Sequence, residues 1–259
     1  MKISILTENC PGTFTPAEHG LSYLIEYDGK RILFDTGQSD LFVRNASQMK
    51  LSLDKLDAVV LSHGHYDHGN GLGYIPGNRL ICHPDCFLKR YSRKDGRYIG
   101  LNLTRTEIEK LFILETYREP HHLSGKIVFS GEIPRLSEFE SKETSFVLGD
   151  GTPDFVPDDA ALFIVLDDCL FIISGCSHSG IVNMIEYARK ITSVSKVAGV
   201  IGGFHLSEDN TQTRKTIEYL ANLDVKHLFP SHCTGLPALS AFYTRFGTRQ
   251  VRAGDILTF

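Results

Sequence analysis

The sequence predicts an α/β fold in which sheets are buried between helices, and three observations predict it. Strands joined by a tight turn open the chain, and short apolar runs of the kind found in doubly buried strands follow them. From there, strands alternate with helical segments in two halves. A regular alternation of strands and helices is typical of layered α/β proteins.

The first part of the chain is predicted to contain a hairpin, a helix and two buried strands. Its early strands are rich in Ile, Leu, Tyr and Phe, and Asp28-Gly29 is a strong signal for a hairpin turn. The apolar run 58–61 indicates a strand that is buried on both faces. The predicted strands are 2–7, 21–27, 31–34, 58–61 and 79–82, with helices at 40–50 and from about Pro84.

The rest of the chain alternates between strands and helices. The segment from Tyr91 to Gly100 is polar and basic and has no clear period, so we predict a loop there. Thr104 and Glu107 have the spacing of a capping box, which predicts a helix over 104–111. The remaining predicted strands are 126–130, 145–148, 161–166, 169–174, 196–201, 225–229 and 255–259, and the remaining helices are 180–190, 210–222 and 235–245.

The composition is that of one globular domain, and we predict that a single domain spans residues 1–259. The formal net charge of −4 gives the surface as a whole no attraction to nucleic acid or anionic lipid. No apolar stretch is long enough to span a bilayer, and the N-terminus lacks the apolar core of a secretion signal. The six cysteines show no disulfide framework, which favours the reducing cytoplasm. We expect a small-molecule substrate as the partner, and neither nucleic acid nor a membrane.

The run from His63 to His68 is the strongest functional signal. It begins where a buried strand ends, and ligands of open α/β sheets gather at the carboxyl ends of strands. In extended backbone, His63, His65 and Asp67 can converge, whereas His68 faces away from His65 and suits a neighbouring ion. Imidazoles with one carboxylate are typical zinc ligands, and iron and manganese also occupy such sites. A histidine-rich surface loop is the alternative.

These residues also carry a family resemblance. Residues 61–69 resemble the signature of the metallo-β-lactamase superfamily, and Leu33-Phe34-Asp35-Thr36-Gly37 resembles its first motif. The chain further resembles a subgroup named for dihydropterin and β-ribofuranosylaminobenzene 5′-phosphate synthase. The marks of that subgroup are Gly20-Leu21-Ser22, Gly131-Glu132-Ile133-Pro134-Arg135, Pro157-Asp158-Asp159, Gly175-Cys176-Ser177-His178, Gly202-Gly203-Phe204-His205-Leu206 and His232-Cys233-Thr234-Gly235. The resemblance implies a four-layer αββα sandwich.

The resemblance also implies a centre of two divalent metal ions, with zinc as the expected metal and iron or manganese as alternatives. His63 and His65 would bind the first ion. The third ligand of that ion would be His178, which directly follows the predicted strand 169–174. The alternative for His178 is a polar residue that caps the helix starting nearby.

Asp67, His68 and His232 would bind the second ion. Most two-metal members of the superfamily use a carboxylate between the later histidines to bridge both ions, but this chain has Gly175-Cys176 at that place. A nearby metal could make Cys176 a thiolate ligand. The sequence favours a buried structural cysteine instead. Without a bridging ligand, the second ion would be weakly bound or absent.

The implied activity is hydrolysis by a metal-bound hydroxide. Two metal ions would lower the pKa of a bound water to about 7 and polarise a carbonyl or phosphoryl oxygen. Asp67 would orient the water. His205 would contact the substrate, and either His205 or another water would protonate the leaving group. There are two alternatives for His205. It could support the metal ligands without touching the ions, or it could be a metal ligand itself.

An anionic substrate is expected at the loops that begin near His178 and Ser231. Both loops lead into predicted helices, whose N-terminal amides would attract a phosphate or carboxylate. Ser177 and Ser231 are therefore candidate substrate-binding residues. The basic run 89–94 could also attract an anion, although a solvated loop is the simpler interpretation.

Three other functions stay open at this point. Di-iron redox relatives resemble a pattern with Glu where this chain has His65, and they need a flavin domain that is not predicted here. Nucleic-acid-processing relatives usually carry an extra domain or arm, for which this chain leaves no room. A ligand-binding or sensing protein with little turnover is supported by the missing bridging carboxylate. The metal-dependent hydrolase is favoured.

Overall fold

The computed structural model describes all 259 residues, which divide by their backbone contacts into two compact units. Unit 1 comprises Met1–Arg118, Thr144–Asp158 and Arg252–Phe259, and unit 2 comprises Glu119–Glu143 and Asp159–Val251. Each unit has its own large sheet and hydrophobic core. The assignment of a single domain to residues 1–259 stays a prediction.

The chain contains fifteen strands and six α-helices. The strands are β1 (Lys2–Thr7), β2 (Ser22–Tyr27), β3 (Lys30–Phe34), β4 (Ala58–Val60), β5 (Arg79–Cys82), β6 (Arg90–Ser92), β7 (Ile113–Thr116), β8 (His121–His122), β9 (Ile127–Phe129), β10 (Phe146–Leu148), β11 (Ala161–Leu166), β12 (Cys169–Ser174), β13 (Lys196–Gly203), β14 (His227–Ser231) and β15 (Ile256–Thr258). The helices are α1 (Leu41–Gln48), α2 (Tyr66–Gly69), α3 (Arg105–Leu111), α4 (Ile181–Thr192), α5 (Thr211–Asn222) and α6 (Leu236–Phe246), with short 3₁₀ turns at Asn70–Tyr74 and Pro84–Phe87. None of the helices has the length and apolar character needed to cross a membrane.

Unit 1 is built on a seven-stranded sheet in the order β15-β1-β2-β3-β4-β5-β7. The predicted hairpin between β2 and β3 is confirmed, and both residues of its turn, Asp28 and Gly29, have positive φ as a type I′ turn requires. Strands β3, β4, β5 and β7 are mutually parallel. Fully buried apolar side chains from β2, β3, β4 and β5 form the core with Phe42 of helix α1. This core fixes the end of β4, from which the histidine run emerges.

Unit 2 is built on a six-stranded sheet in the order β14-β13-β12-β11-β9-β8. Strands β12, β13 and β14 are parallel, so their carboxyl ends meet at one edge of the sheet. Helix α4 packs on β12, and α6 packs on β14. The core includes Phe163, Ile172, Val200, Phe204 and Phe242, and burying each such side chain contributes roughly 1.5–3 kcal/mol.

Three local predictions differ from the structure. Residues 91–100 are not a simple loop, because Arg90–Ser92 forms β6, which pairs with β10, and Tyr91 bridges to Tyr98. The helix expected from Pro84 is only a four-residue 3₁₀ turn. Strand β7 was not predicted, because it follows α3 almost directly and no turn signal separates the two. The predicted capping box of Thr104 and Glu107 is confirmed.

Candidate functional site

Four of the predicted metal ligands form a buried cluster in unit 1, immediately after β4. His63 and His68 are fully buried, and His65 and Asp67 expose only 5% and 7% of their surface. His63 Nε2 lies 3.0 Å from His65 Nδ1, and the ring centroids of His63 and His68 are 4.3 Å apart. The sequence-based alternative of a histidine-rich surface loop is therefore wrong.

The backbone of the cluster differs from the extended run that was predicted. Helix α2 begins at Tyr66, so Asp67 and His68 lie in a helical turn, and the ring of His68 packs against that of His63. The turn forms because the His65 carbonyl accepts hydrogen bonds from the amides of His68 and Gly69. Gly64 has to be glycine here, since a Cβ at this position would lie 1.9 Å from the Cys86 carbonyl oxygen.

Asp35, from the Asp-Thr-Gly motif, holds the cluster in position through hydrogen bonds to His68 and Ser62. Its carboxylate accepts hydrogen bonds of 2.7 Å from the amide of Ser62, from the Ser62 hydroxyl and from His68 Nδ1. Asp35 is fully buried and has a left-handed backbone, with φ of 57°. A carboxylate that accepts the Nδ1 proton leaves Nε2 of His68 as the ligand atom, which is the usual support of a metal-binding histidine.

His19 is a site residue that the sequence did not reveal. Its Nε2 lies 3.0 Å from Oδ2 of Asp67, although the His19 side chain is half exposed. His19 lies in an irregular segment between β1 and β2, where no periodicity marks its direction. Only the neighbouring Gly20-Leu21-Ser22 motif draws attention to this part of the sequence.

A buried ion-pair network holds the loop of the cluster in unit 1. The Arg90 guanidinium pairs with the carboxylates of Asp154 and Asp158, and Asp158 also accepts a 2.8 Å hydrogen bond from the Gly64 amide. Burial acts to raise the pKa of Asp158, but Arg90 and Gly64 outweigh it and lower the pKa to about 2. Burial, with the nearby Arg90 charge, lowers the pKa of His65 to about 3, so this imidazole is neutral.

The basic run 89–94 is therefore neither a wholly solvated loop nor an anion site at Arg90. Arg90 is fully buried, because two carboxylates satisfy its charge inside the protein.

In unit 2, the loops after the three parallel strands carry the later predicted residues. Ser177 follows β12, His205 follows β13 and His232 follows β14, and all three have left-handed backbones with φ between 48° and 54°. Such conformations cost about 1–3 kcal/mol each and cluster at functional sites. The structure thus places strained residues at the sheet edge where the sequence predicted a site.

His178 and His205 lie together at a polar cavity of about 290 Å³ in unit 2. Their ring centroids are 4.3 Å apart. The cavity is also lined by Phe139, Ser141, Lys142, Glu143, Ser177, Gly180 and Gln212. Helix α4 has Gly180 at its N-cap, with no side-chain cap, so the alternative of His178 as a helix-capping residue is wrong.

The N-terminal amides of α4 are already occupied, so the prediction that they attract a substrate anion is wrong. The Glu140 carboxylate accepts hydrogen bonds of 2.9 Å from the amides of Val182 and Asn183. Burial raises the pKa of Glu140 to about 7, although these amides act to lower it. Glu140 thereby fixes the segment that forms one wall of the cavity.

The two predicted substrate-binding serines both make bonds within unit 2. The Ser177 hydroxyl donates a 2.6 Å hydrogen bond to the Gly203 carbonyl, and Ser177 lines the cavity. The Ser231 carbonyl accepts hydrogen bonds from the amide and hydroxyl of Thr234, which close the turn before α6. Their roles as substrate contacts stay predictions.

The donor atoms of the two clusters fit divalent metal ions. Unit 1 offers three imidazoles and one carboxylate, with Asp35 orienting His68. In unit 2, the ligand atoms of His232, Cys176 and Cys233 all lie within 4.8 Å of one another. Imidazole, carboxylate and thiolate are the ligands that proteins use for zinc.

The chain belongs to the metallo-beta-lactamase superfamily, whose family model matches residues 15–232. A solved structure described as Tm1679, a metal-dependent hydrolase of the beta-lactamase superfamily, is 28% identical with a TM-score of 0.88, and the match covers 100% of this chain and 99% of that one. The predicted fold class is thereby confirmed.

The predicted subgroup is confirmed as well. A protein of Methanocaldococcus jannaschii named 7,8-dihydropterin-6-methyl-4-(beta-D-ribofuranosyl)-aminobenzene-5'-phosphate synthase is 35% identical over 286 aligned positions, which cover 100% of this chain and 97% of the relative. An uncharacterized protein of the same organism, MJ0448, is 38% identical over 249 positions, covering 92% of each chain. The resemblance noted in the motifs therefore extends along the chain.

Proposed function

We propose that this protein is a metal-dependent hydrolase that acts on a small substrate bearing a phosphate or carboxylate. The observation that carries the proposal is the buried cluster of His63, His65, Asp67 and His68, with Asp35 behind it. The donor atoms of three imidazoles and one carboxylate come together in this cluster. A divalent cation is the partner that these donor atoms suit.

The ligand set that we propose is the one predicted from the sequence, namely His63, His65 and His178 for one ion and Asp67, His68 and His232 for the other. When bound, divalent ions of this kind activate water as a nucleophile and polarise the oxygen of the bond to be cleaved. Zinc is the metal that we propose, because imidazole dominates the donor set.

We propose that His205 and Lys142 contact the substrate. Both line the cavity of unit 2, where His205 is solvent-exposed and lies against His178. An exposed imidazole can hold a proton near neutral pH and donate it to a leaving group. The exposed ammonium group of Lys142 can pair with a phosphate or carboxylate, and it shares this wall with the acidic Glu143.

The anionic substrate class has a second line of support. The name of the 35% identical relative includes a 5′-phosphate. The cavity lining contains hydroxyl, amide, imidazole and ammonium groups with only one large apolar side chain, Phe139. Such a lining is better matched to a charged group than to an acyl chain.

The same relative supports a second candidate, because its name describes a synthase rather than a hydrolase. A hydrolase cleaves its substrate with water, whereas a synthase builds its product. Turnover of a single phosphoester without a second organic substrate distinguishes the hydrolase from the synthase.

Hydrolysis assays on the metal-loaded protein test the proposal. We expect turnover of at least one compound from a panel of phosphomonoesters, phosphodiesters, lactones and thioesters, with a preference for anionic members. Asp67→Ala should abolish this turnover, and Lys142→Gln should raise KM for anionic substrates more than for neutral ones. His227→Gln is the matched control, because His227 is exposed on β14 and outside the cavity. Activity that survives Asp67→Ala, or no activity on the whole panel, would contradict the proposal.

We also propose that the protein acts in the cytoplasm on a small molecule, without nucleic acid or a membrane as partner. None of the six cysteines forms a disulfide in the structure, which supports a reducing compartment. Fractionation of the native host would test the location.

A further inference from the structure

We propose that the ion held by His232 is also bound by the sulfur atoms of Cys176 and Cys233, which makes this metal site a thiolate site. The inference rests on the proposed function, because it refines the composition of the same metal centre. It assigns a role to Cys233, which stands beside His232 in the chain, and it reverses the sequence-based preference for Cys176 as a structural residue.

The three side chains converge at the sheet edge of unit 2. Cys176 follows β12, and His232 and Cys233 follow β14, which ends at the same edge of the sheet with β13 between the two strands. Their ligand atoms lie within 4.8 Å of one another, and Cys233 Sγ is 3.5 Å from the Cys176 carbonyl oxygen. Two ligand atoms on one tetrahedral zinc, at bond lengths of about 2.0–2.3 Å, are separated by roughly 3.3–3.8 Å. Small side-chain rotations of about an ångström would therefore complete the site.

Gly202 and Gly203 lie against the loops that carry the two cysteines, where a larger side chain would not fit. A Cβ at Gly203 would lie 2.5 Å from Cys233 Sγ and 2.7 Å from the Gly175 carbonyl oxygen. A Cβ at Gly202, where φ is +126°, would lie 2.0 Å from the Ser174 carbonyl oxygen. Any side chain at these two positions would displace the Cys233 thiol or the loop that carries Cys176. Gly203 thus leaves space for the Cys233 sulfur, and Gly202 leaves space for the end of the strand that precedes Cys176.

Cys176 is 3% exposed and has polar groups beside it at the sheet edge. Its sequence neighbour Ser177 shares a 2.6 Å hydroxyl–hydroxyl hydrogen bond with Ser174 and donates another to the Gly203 carbonyl. Cys82 and Cys86 belong to the hydrophobic core of unit 1, and burial raises the pKa of the Cys86 thiol. Cys82 is therefore a suitable control for a thiol outside the proposed site.

Binding of a divalent ion by the two cysteines would release two protons. Each thiol releases its proton to solvent as its sulfur bonds to the ion, so one divalent cation displaces two protons and its charge is neutralised by two thiolates. Two sulfurs and one imidazole form a Cys2His set, one of the donor combinations that bind zinc in proteins. Thiolates favour zinc and cobalt over manganese and magnesium, so this position should select the softer metals.

Cobalt(II) spectroscopy of the full chain tests this inference without relying on activity. Titration of the metal-depleted protein with Co²⁺ should produce the near-ultraviolet charge-transfer band that only sulfur ligation gives. The band should fall to roughly half in Cys176→Ser and in Cys233→Ser and should vanish in the double variant. Cys82→Ala is the matched control, since it removes a buried thiol from the core of unit 1 and should leave the band unchanged.

The outcomes separate this inference from the proposed function. Two Co²⁺ ions bound by the parent protein without a charge-transfer band would overturn the thiolate site and leave the metal-dependent hydrolase standing. A band that persists in Cys233→Ser at full intensity would overturn the role of Cys233. No Co²⁺ or Zn²⁺ bound by the parent protein would overturn both. The parent spectrum alone decides the main point, so poor folding of a variant does not remove the test.

Discussion

The support of His68 by Asp35 leads to a prediction about metal affinity. In Asp35→Asn, the new amide keeps one carbonyl oxygen, which can still accept the Ser62 amide proton. The atom that replaces Oδ2 carries hydrogens, so it can no longer accept from His68 Nδ1, which lies 2.7 Å from Oδ2 in the structure. The imidazole then has to place its proton on Nε2, the atom that a metal ion would take.

The expected loss follows from this single bond. Removing the second partner of a metal-binding histidine typically weakens metal binding by about 10–100-fold, or about 1.4–2.7 kcal/mol. A hydrogen bond to a charged acceptor, about 1.5–3 kcal/mol, gives the same range independently. We therefore expect the zinc affinity of Asp35→Asn, measured by competition with a chromophoric chelator, to fall by one to two orders of magnitude.

A control and a direct observation make this prediction refutable. Asp57→Asn is the matched control, because Asp57 also accepts a backbone amide hydrogen bond in unit 1, from Arg31, but supports no histidine. Nitrogen NMR of the metal-depleted variant should show His68 protonated on Nε2. A folded Asp35→Asn protein with zinc affinity within about twofold of the parent, and with His68 still protonated on Nδ1, would refute the reasoning.

Three further predictions concern stability. Asp158→Ala should cost about 3–5 kcal/mol in urea unfolding, because the buried Arg90 loses a carboxylate; a loss below about 1 kcal/mol would contradict the ion-pair account. Glu140, whose pKa burial raises from 4.5 to about 7, stabilises the fold fully below pH 4.5 and loses this contribution as pH rises through 7. The difference in unfolding free energy between the parent and Glu140→Gln should therefore fall by about 3 kcal/mol from pH 4.5 to pH 8, and a pH-independent difference would contradict it. Gly202→Ala should cost more than about 1 kcal/mol in thermal unfolding, because its Cβ would lie 2.0 Å from the Ser174 carbonyl oxygen; an unchanged Tm would show that the strand end relaxes.

The sequence predicted those features that depend on local pattern. Neighbouring residues determine the hairpin at Asp28-Gly29, the capped helix α3 and the alternation of strands and helices. The structure confirms all three. The histidine run was also found locally, because its residues stand side by side at the end of one strand. Its exact backbone was not, since a four-residue turn such as α2 is too short to leave a periodic signal.

Contacts between distant residues could not be predicted in the same way. Arg90 looked like part of a solvated basic loop because its partner Asp158 stands 68 residues further along the chain. Glu140 takes the amides of α4 across 42 residues, so those amides looked available for a substrate. In both cases a carboxylate that is distant in the sequence accepts the hydrogen bonds of these groups. The neighbouring residues alone give no sign of that partner.

The partnership of Cys176 and Cys233 has the same origin. The two cysteines are 57 residues apart and meet only because β12 and β14 end at the same edge of one sheet. The adjacent Gly202-Gly203 pair favours a close approach to the backbone, because glycine has no side chain. It did not indicate what approaches, and the structure shows that sulfur and a carbonyl oxygen do.

Metal analysis of the purified protein, prepared without chelator, tests the central claim most directly. The account predicts two equivalents of zinc in the parent and in the exposed-histidine control His227→Ala, with about one equivalent or fewer in Asp67→Ala and in His178→Ala. A parent protein that binds no divalent metal after reconstitution would contradict the account, and so would a metal content that stays at the parent value in both ligand variants.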